Sequence, residues 1–559
     1  MVWGKSRRRA AQFALLLRRC AVCVCALLLV VAPALAAQGG AGRNAAGAIA
    51  AGGDEALYLR ALALTDSSTL PSLLQPFGSA SGQALQSRAA EIGPWRARYG
   101  PARGTLQFTA ASLQVITPEL GLTYHSALPL SRNDGPIWAG RGSTVHAFAG
   151  VAASWKWLRV QLAPVLFTTD NAGFALMPTV RPGVGVYADP RFANNIDAPQ
   201  RFGSERYSRV DLGESFIRAE AFGVTAGLSS ARLNWGPGRE HSVVMSPNAG
   251  GFAHAFVGTS RPLGIWIGDV EARLIGGRLE QSEYSPVLSG ERDRFTSGFV
   301  GSFRPRLLPA LEIGATRVMQ VAWPTGGPSL AQILRPFQTA ISDPQTGATP
   351  NQNSENQYAS AFVRIAPVAS GFEAYAELGR EDFSGNLRWA ATEPEDLAVL
   401  LLGFAHARRA ADGELRVLRA ELINGETSHS ERGDRGLQRP IAPYTHGRAR
   451  QGLTNRGQIL GSPVAYGGSG ATISYERYTA AGRRTIGLER QLRLDWQRTD
   501  ASPGTRQAEA LWGLRWEESR FVGARELTLS AAPSLIMNRG LEPGRDVWNL
   551  ELGLRWRGW

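Results

Sequence analysis

The sequence predicts an all-β fold: a large transmembrane antiparallel β-barrel, with a small N-terminal α-helical element on its periplasmic side. Three observations carry this. The chain opens on an export signal, no later stretch approaches the length of a membrane-spanning helix, and apolar and polar residues alternate with period two from about Gly104 to the C-terminus.

Residues 1–36 read as a signal peptide. Lys5, Arg7, Arg8, Arg9, Arg18 and Arg19 form a basic flank, the run Ala21 to Leu35 is apolar, and Ala34-Leu35-Ala36 offers small residues for cleavage after Ala36. All three cysteines, Cys20, Cys23 and Cys25, lie inside this segment, so the mature chain is expected to form no disulfide and no thiolate metal site. The formal charge is +13; six positive and no negative residues precede Ala37, which leaves +7 for the mature chain. Lys5 and Lys156 are the two lysines among 60 basic residues. Such an arginine bias suits bidentate pairing with carboxylates and phosphates, as on acidic polysaccharide or lipopolysaccharide, and is equally what a genome-wide preference for arginine would leave in a polar barrel interior.

Residues 37–53 are rich in Ala and Gly and are expected to be flexible. Residues 54–100 carry two short helices: Leu57, Ala61 and Leu64 share one face, and so do Leu85, Ala89 and Ile92. A connector from Pro71 to Gly78 joins them. The element is too small to hold its own core, so it is expected to sit on the periplasmic end of the barrel.

The barrel is assigned to 104–559. Its clearest strand sets Ile486, Leu488, Leu492, Leu494 and Trp496 against Glu489, Gln491, Arg493, Asp495 and Gln497, with Arg490 as the one charge on the apolar face. Val270, Ala272 and Leu274 oppose Asp269, Glu271 and Arg273; Phe372, Ala374, Ala376 and Leu378 oppose Glu373, Tyr375 and Glu377; Trp512, Leu514 and Trp516 oppose Glu509, Arg515 and Glu517. One alternating strand also suits a soluble sheet, but many of about ten residues, with both signs of charge on one face, argue for an apolar exterior and a polar interior. Trp155, Trp157, Trp496, Trp512, Trp516, Trp548 and Trp556 suit interfacial girdles. The final strand alternates from Trp548 to Trp556, and Trp559 falls out of phase. Either that strand carries a bulge or Trp556 is its functional end. At roughly 25 residues per strand and its connections, this span holds about 16 to 20 strands, wide enough for an aqueous lumen unless something plugs it. Two polar segments, Pro324 to Tyr358 and Asn424 to about Gly468, are too long for strands and are candidates for ligand contact or plugging.

Sequence motifs for catalysis are missing. Gly183-Val-Gly185-Val-Tyr-Ala188 spells a dinucleotide fingerprint but runs into Asp189-Pro190 and opens no helix, so no cofactor is expected. The seven histidines lack metal-ligand spacing, and no enzyme, metal or nucleic-acid partner is expected. A barrel hydrolase using a single Ser or His stays a minor alternative.

The segment Asn234-Trp235-Gly236-Pro237-Gly238, continuing through Ser242, Ser246, Asn248, Ala249 and Phe252, resembles the W-G-P-G turn of Wzi-like capsule assembly proteins. Tyr444-Thr445-His446, Gln451 to Gln458 and Leu460-Gly461 are similar to a second stretch of that family, with Leu453 where an aromatic is usual. Leu74-Gln75-Pro76-Phe77 resembles the family's periplasmic helical region. The resemblance implies a wide closed barrel of about 18 strands with an N-terminal helical element, acting as a lectin that tethers exported capsular or other surface polysaccharide to the cell surface, with no catalytic residues. Further expected partners are outer-membrane lipid, lipopolysaccharide and the barrel-insertion machinery. Arginine forks pairing with anionic sugars, and aromatic faces stacking on sugar rings, would give weak contacts multiplied along a polymer. Arg239, His241, Tyr444, His446, Arg448 and Arg450 are the candidates for such contacts. The competing reading is a porin or sugar transporter on the same scaffold.

Overall fold

A computed structural model describes residues 49–66, 70–99, 105–178, 184–286, 293–338, 355–381, 392, 394, 398–426, 442–447, 449–494 and 508–558. The expected signal peptide and most of the Ala/Gly-rich segment lie outside these residues. Its last residues do not: Ile49 and Ala51 are buried, and the Gly52 amide donates to Gln75 Oε1 at 2.9 Å.

Alternation with period two builds a closed antiparallel barrel of 18 strands. They are β1 (Ala111–His125), β2 (Gly142–Trp155), β3 (Leu158–Leu162 and Val165–Thr169), β4 (Tyr207–Asp211 and Phe216–Ala221), β5 (Val224–Ser229) and β6 (His254–Thr259 and Leu263–Ile265). Then come β7 (Gly268–Glu280), β8 (Asp293–Pro305), β9 (Leu311–Ala322), β10 (Asn356–Ile365), β11 (Phe372–Glu381) and β12 (Ala398–Arg409). The last six are β13 (Leu415–Asn424), β14 (Gly468–Thr479), β15 (Gly482–Leu494), β16 (Ala508–Val522), β17 (Arg525–Met537) and β18 (Val547–Arg557). β18 closes the circle against β1, from Arg557 opposite Glu119 to Glu551 opposite His125, and Arg557 Nη2 donates to Glu119 Oε2 at 2.5 Å across the seam. Pro118 fits inside β1 because the register shifts between Ile116 and Glu119, so the proline meets no ladder bond. β18 pairs with β17 without a shift, so the alternation ends at Trp556 and no bulge carries it further.

The outward face is apolar. Leu400, Leu402, Leu418, Leu422, Ile473, Ile486, Leu488 and Leu554 are exposed, a belt that a water-facing sheet would not tolerate and a bilayer requires. Exposed tryptophans ring it: Trp155, Trp157, Trp266 and Trp516 toward the short-turn end, Trp323, Trp512 and Trp548 toward the other. Arg490 lies over the Trp512 ring at 5.7 Å, which is how one guanidinium is accommodated on that face. This is an outer-membrane barrel. One end carries tight turns such as 156–157, 222–223, 480–481 and 523–524; the other carries the long connections, which such barrels present outside.

Two helices, α1 (Asp54–Leu64) and α2 (Ser79–Ile92), close the short-turn end. α1 is buried nearly all round from Ala56 to Leu64, because it sits within the barrel end rather than on it. Tyr58 stacks on Trp95 at 4.3 Å, Trp95 meets Tyr478 and Phe521 on the wall at 5.2 and 5.3 Å, and Trp95 Nε1 donates to the Gly482 carbonyl. Wall arginines grip the main chain of this element: Arg364 donates to the Pro71 carbonyl, Arg273 to Pro76, Arg218 to Phe77 and Arg419 to Leu57.

Candidate functional site

Three segments cross the lumen: residues 73–77, 231–252 and 442–466 without 448. Leu74 and Gln75 pair with Trp235 and Asn234 as a two-residue sheet, the Trp235 amide donates to the Met245 carbonyl at 3.1 Å, and the Gly236 amide to that of Leu73 at 3.1 Å. Trp235 is 0% exposed, with its ring close over wall Gly298. Gly236 holds φ +89°, and a Cβ there would stand 2.6 Å from Glu377 Oε2, so the turn requires glycine.

The two family-like segments hold each other. Tyr444 donates its hydroxyl to the Val243 carbonyl at 2.7 Å, Ser246 donates its amide to Leu460 at 2.7 Å and its hydroxyl to Gly461 at 2.8 Å, and Asn248 Nδ2 donates to Ile459 at 2.9 Å. Around them lies one apolar cluster that includes Val243, Val244, Met245, Phe252, Leu453, Leu460 and Tyr466 from the loops and Ile275, Leu279, Val300, Val318, Leu401 and Ile423 from the wall. The interior is therefore not uniformly polar as period-two reading expects. Where β7, β8, β9, β12 and β13 face this plug, their inward residues are aliphatic because they meet side chains rather than water.

Carboxylates on the inner wall fasten the plug. Glu373, Glu377 and Glu381 point inward from β11, four residues apart. Glu373 accepts from Arg60 Nε at 3.0 Å on both oxygens, while Arg60 Nη1 donates to the Pro237 carbonyl at 2.8 Å, so one guanidinium joins helix, wall and turn. Glu381 accepts the Tyr444 amide at 2.9 Å and the Tyr358 hydroxyl at 2.5 Å. Glu421, on β13, accepts three successive amides, those of Arg239 at 2.8 Å, Glu240 at 2.9 Å and His241 at 3.0 Å, and the Tyr375 hydroxyl at 2.5 Å.

The predicted contact residues divide. Arg239, His241 and Tyr444 are 7%, 2% and 1% exposed and belong to the plug, because their main chain is bound to Glu421 and Glu381 and cannot reach the surface. Arg239 Nη2 stands 3.7 Å from Glu373 Oε1. Burial, with Arg132 nearby, pushes His241 down to about 3, so its imidazole is neutral at pH 7, with Nδ1 3.3 Å from Ser462 Oγ. Burial also raises the Tyr444 hydroxyl. His446 and Arg450 come together, half-buried, where residues 446–451 meet 194–197: the His446 amide donates to the Asn195 carbonyl at 2.9 Å, and Arg450 Nη2 to Asn194 Oδ1 at 3.2 Å. Arg448 lies outside the described residues. Trp235, Gly236, Pro237, Gly238 and Asn248 all lie in or against the plug. Of the two polar segments, the second supplies much of the plug. The first begins outside the wall, where Phe337 meets Phe299 at 4.7 Å and Arg317 Nη1 donates to the Pro336 carbonyl, and the strand that follows starts at Asn356, two residues before Tyr358.

Beside the plug lies a cavity of about 580 Å3, lined by α1, β1, β2 and β14 to β18. Ion pairs line it: Arg483 and Arg555 hold Asp54 at 3.0 and 2.6 Å, and Arg132 holds Glu489. Burial alone would raise Asp54, but Arg483, Arg555 and Arg557 outweigh it and hold that carboxyl well below the usual range. Asp134, on the loop above, is pushed up to about 6 by burial and Glu551.

The model of the family described as capsule assembly protein Wzi matches residues 179–508, more than half of the chain. The protein belongs to the Wzi family. The matched span encloses both plug segments and the wall strands bearing Glu373, Glu381 and Glu421, so the Wzi match falls on the closure of the lumen. Among solved structures, Wzi of Escherichia coli, described as an outer membrane protein involved in group 1 capsule assembly and a carbohydrate-binding β-barrel, is similar over 91% of this chain and 99% of its own, at 14% identity and a TM-score of 0.57. Looser likenesses are OccAB2 of Acinetobacter baumannii, at 10% identity, TM-score 0.40 and 79% and 97% coverage, and the outer membrane protein opdK of Pseudomonas aeruginosa, at 9%, 0.37, 80% and 99%. No curated protein sequence matches the chain.

Proposed function

We propose that this Wzi-family barrel binds capsular or other surface polysaccharide at the outer membrane and helps to hold and assemble it at the cell surface, as a binding protein rather than a catalyst. The observation that carries the reading is the plug. A conduit would leave its lumen to water, whereas here two long connections and the N-terminal element fill the part of it that β7 to β13 face and are bonded to the wall at Glu373, Glu381 and Glu421. Polymer reaching such a barrel is retained at its outer end. His446, Arg448 and Arg450 are proposed contacts there, each weak and multiplied along a repeating chain, while Arg239, His241 and Tyr444 serve binding by shaping the plug beneath. The helical element would face the periplasm, the apolar belt would meet lipid and lipopolysaccharide, and β18, whose alternation ends at Trp556, would be read by the barrel-insertion machinery.

The test uses the full-length protein in detergent, applied to immobilised capsular polysaccharide from the host and inserted in parallel into planar bilayers. Salt-sensitive binding without steady conductance is expected. Conductance without binding would replace this reading by that of a porin.

A further inference from the structure

Six aromatic rings form a chain at the long-connection end. Phe167 meets Tyr207 at 5.8 Å, Tyr207 stacks on Phe202 at 4.8 Å, Phe202 meets Trp138 at 4.9 Å and Tyr284 at 6.1 Å, and Tyr284 meets Tyr187 at 5.4 Å. Phe167 and Phe202 are buried and form the base; Tyr187 and Tyr284 are half-buried, and neither hydroxyl has a hydrogen bond to a described residue. Their chain neighbours Val186 and Glu283 are exposed.

Hydrogen bonds tie down the loops that carry these rings. Asn171 Nδ2 donates to the carbonyls of Phe202, Gly203 and Glu205 at 2.9, 3.2 and 2.7 Å. Arg201 braces the same turn through Asn171 Oδ1 and the Ser204 carbonyl. Asp197 accepts from Ser282, whose hydroxyl in turn accepts the Tyr284 amide at 3.1 Å, and the Tyr187 carbonyl accepts the Gln200 amide at 2.9 Å. Gly203 has φ +77°, and a Cβ on it would stand 2.3 Å from the Tyr284 hydroxyl, so the tyrosine is seated over a residue that only glycine allows.

We propose that Tyr187 and Tyr284 form a stacking platform for a pyranose ring of the bound polysaccharide. The inference rests on the polysaccharide-binding reading above and names the site where it acts. The two half-buried rings stand at 76° to each other on the aromatic base, so one can stack on the apolar face of a sugar while the other borders its edge, and their hydroxyls, with neighbouring Glu283, offer partners for ring hydroxyls. Because the loops are already ordered, binding loses little conformational entropy, which matters for a contact as small as a single sugar.

The test is the double variant Tyr187→Ala/Tyr284→Ala in the full-length protein, assayed on the host's capsular polysaccharide and on dextran as a neutral glucan. Apparent affinity for the capsular polymer is expected to fall about tenfold, against a change of no more than about threefold when both positions are Phe, which keeps the stacking faces. Gly203→Ala, with both tyrosines present, should also weaken binding by displacing Tyr284. Unchanged thermal unfolding shows that the double variant is folded. Binding of that variant equal to wild type would overturn the platform while leaving the proposed function intact; a wild-type protein that binds neither polymer would overturn both.

Discussion

Removing the Glu421 carboxylate should loosen the plug more than any other single change on the wall. Glu421→Ala leaves the amides of Arg239, Glu240 and His241 without their acceptor, together with the Tyr375 hydroxyl. A buried donor left unmatched costs roughly 1–3 kcal/mol, so three amides amount to about 3–9 kcal/mol. The cavity beside Arg239 and Glu240 gives water a route to two of them, which puts the expected cost near the low end, about 3–5 kcal/mol. At about 1.4 kcal/mol per tenfold, a loss of roughly 3 kcal/mol raises the population of the undocked loop more than a hundredfold. Limited proteolysis of the protein in detergent reads this directly: wild type should resist cleavage across residues 231–252, Glu421→Ala should be cut there, and Glu421→Gln, which keeps one acceptor oxygen, should fall between. The same variant should acquire intermittent conductance in planar bilayers. Cleavage and conductance indistinguishable from wild type would refute the assignment of Glu421 as the plug's anchor.

Gly236→Ala should lower thermal stability by about 1–3 kcal/mol, since alanine must adopt φ +89° with its Cβ against Glu377; an unchanged unfolding temperature would contradict the turn as described. His241 is held down to about 3 against an ordinary value near 6.5, so below pH 6.5 the unfolded chain takes up a proton that the folded one does not. Stability that is full above pH 6.5 should then decline by about 1.4 kcal/mol per pH unit, on the order of 2–3 kcal/mol by pH 4.5. His241→Gln should flatten that decline in urea unfolding at pH 7 and 4.5, and equal losses in the two proteins would rule the histidine out.

The barrel was legible in the sequence because its rule is local. A strand such as Phe372 to Leu378 announces its two faces within seven residues, and the lipid enforces the outer one. The plug obeys no such rule. Tyr444 is fixed by Glu381 and Val243, Asn248 by Ile459 and Arg60 by Glu373, partners 63 to 313 residues away in the chain. Nothing in the Gly- and Pro-rich composition of residues 231–252 and 424–468 distinguishes a loop that folds inward from one that waves outside, so Arg239, His241 and Tyr444 read as surface contacts. A partial signal was present: Glu373, Glu377 and Glu381 recur every four residues on the inward face of β11, and aliphatic residues such as Ile275 and Leu279 share the inward face of β7 with Glu271 and Arg273. Together these mark a wall facing protein rather than water. The aromatic platform was harder to see, since its rings come from strands β3 and β4 and three separate connections, none of them patterned.

On the proposed function, this barrel retains polysaccharide rather than conducting solutes. The most direct test deletes its gene in an encapsulated host and separates cell-bound from released polymer, with wild type and Glu421→Ala restored in turn. Polymer should shift into the medium while total synthesis holds, wild type should reverse the shift, and Glu421→Ala should reverse it incompletely. Unaltered retention in the deletion strain would contradict a role for this barrel in holding polymer.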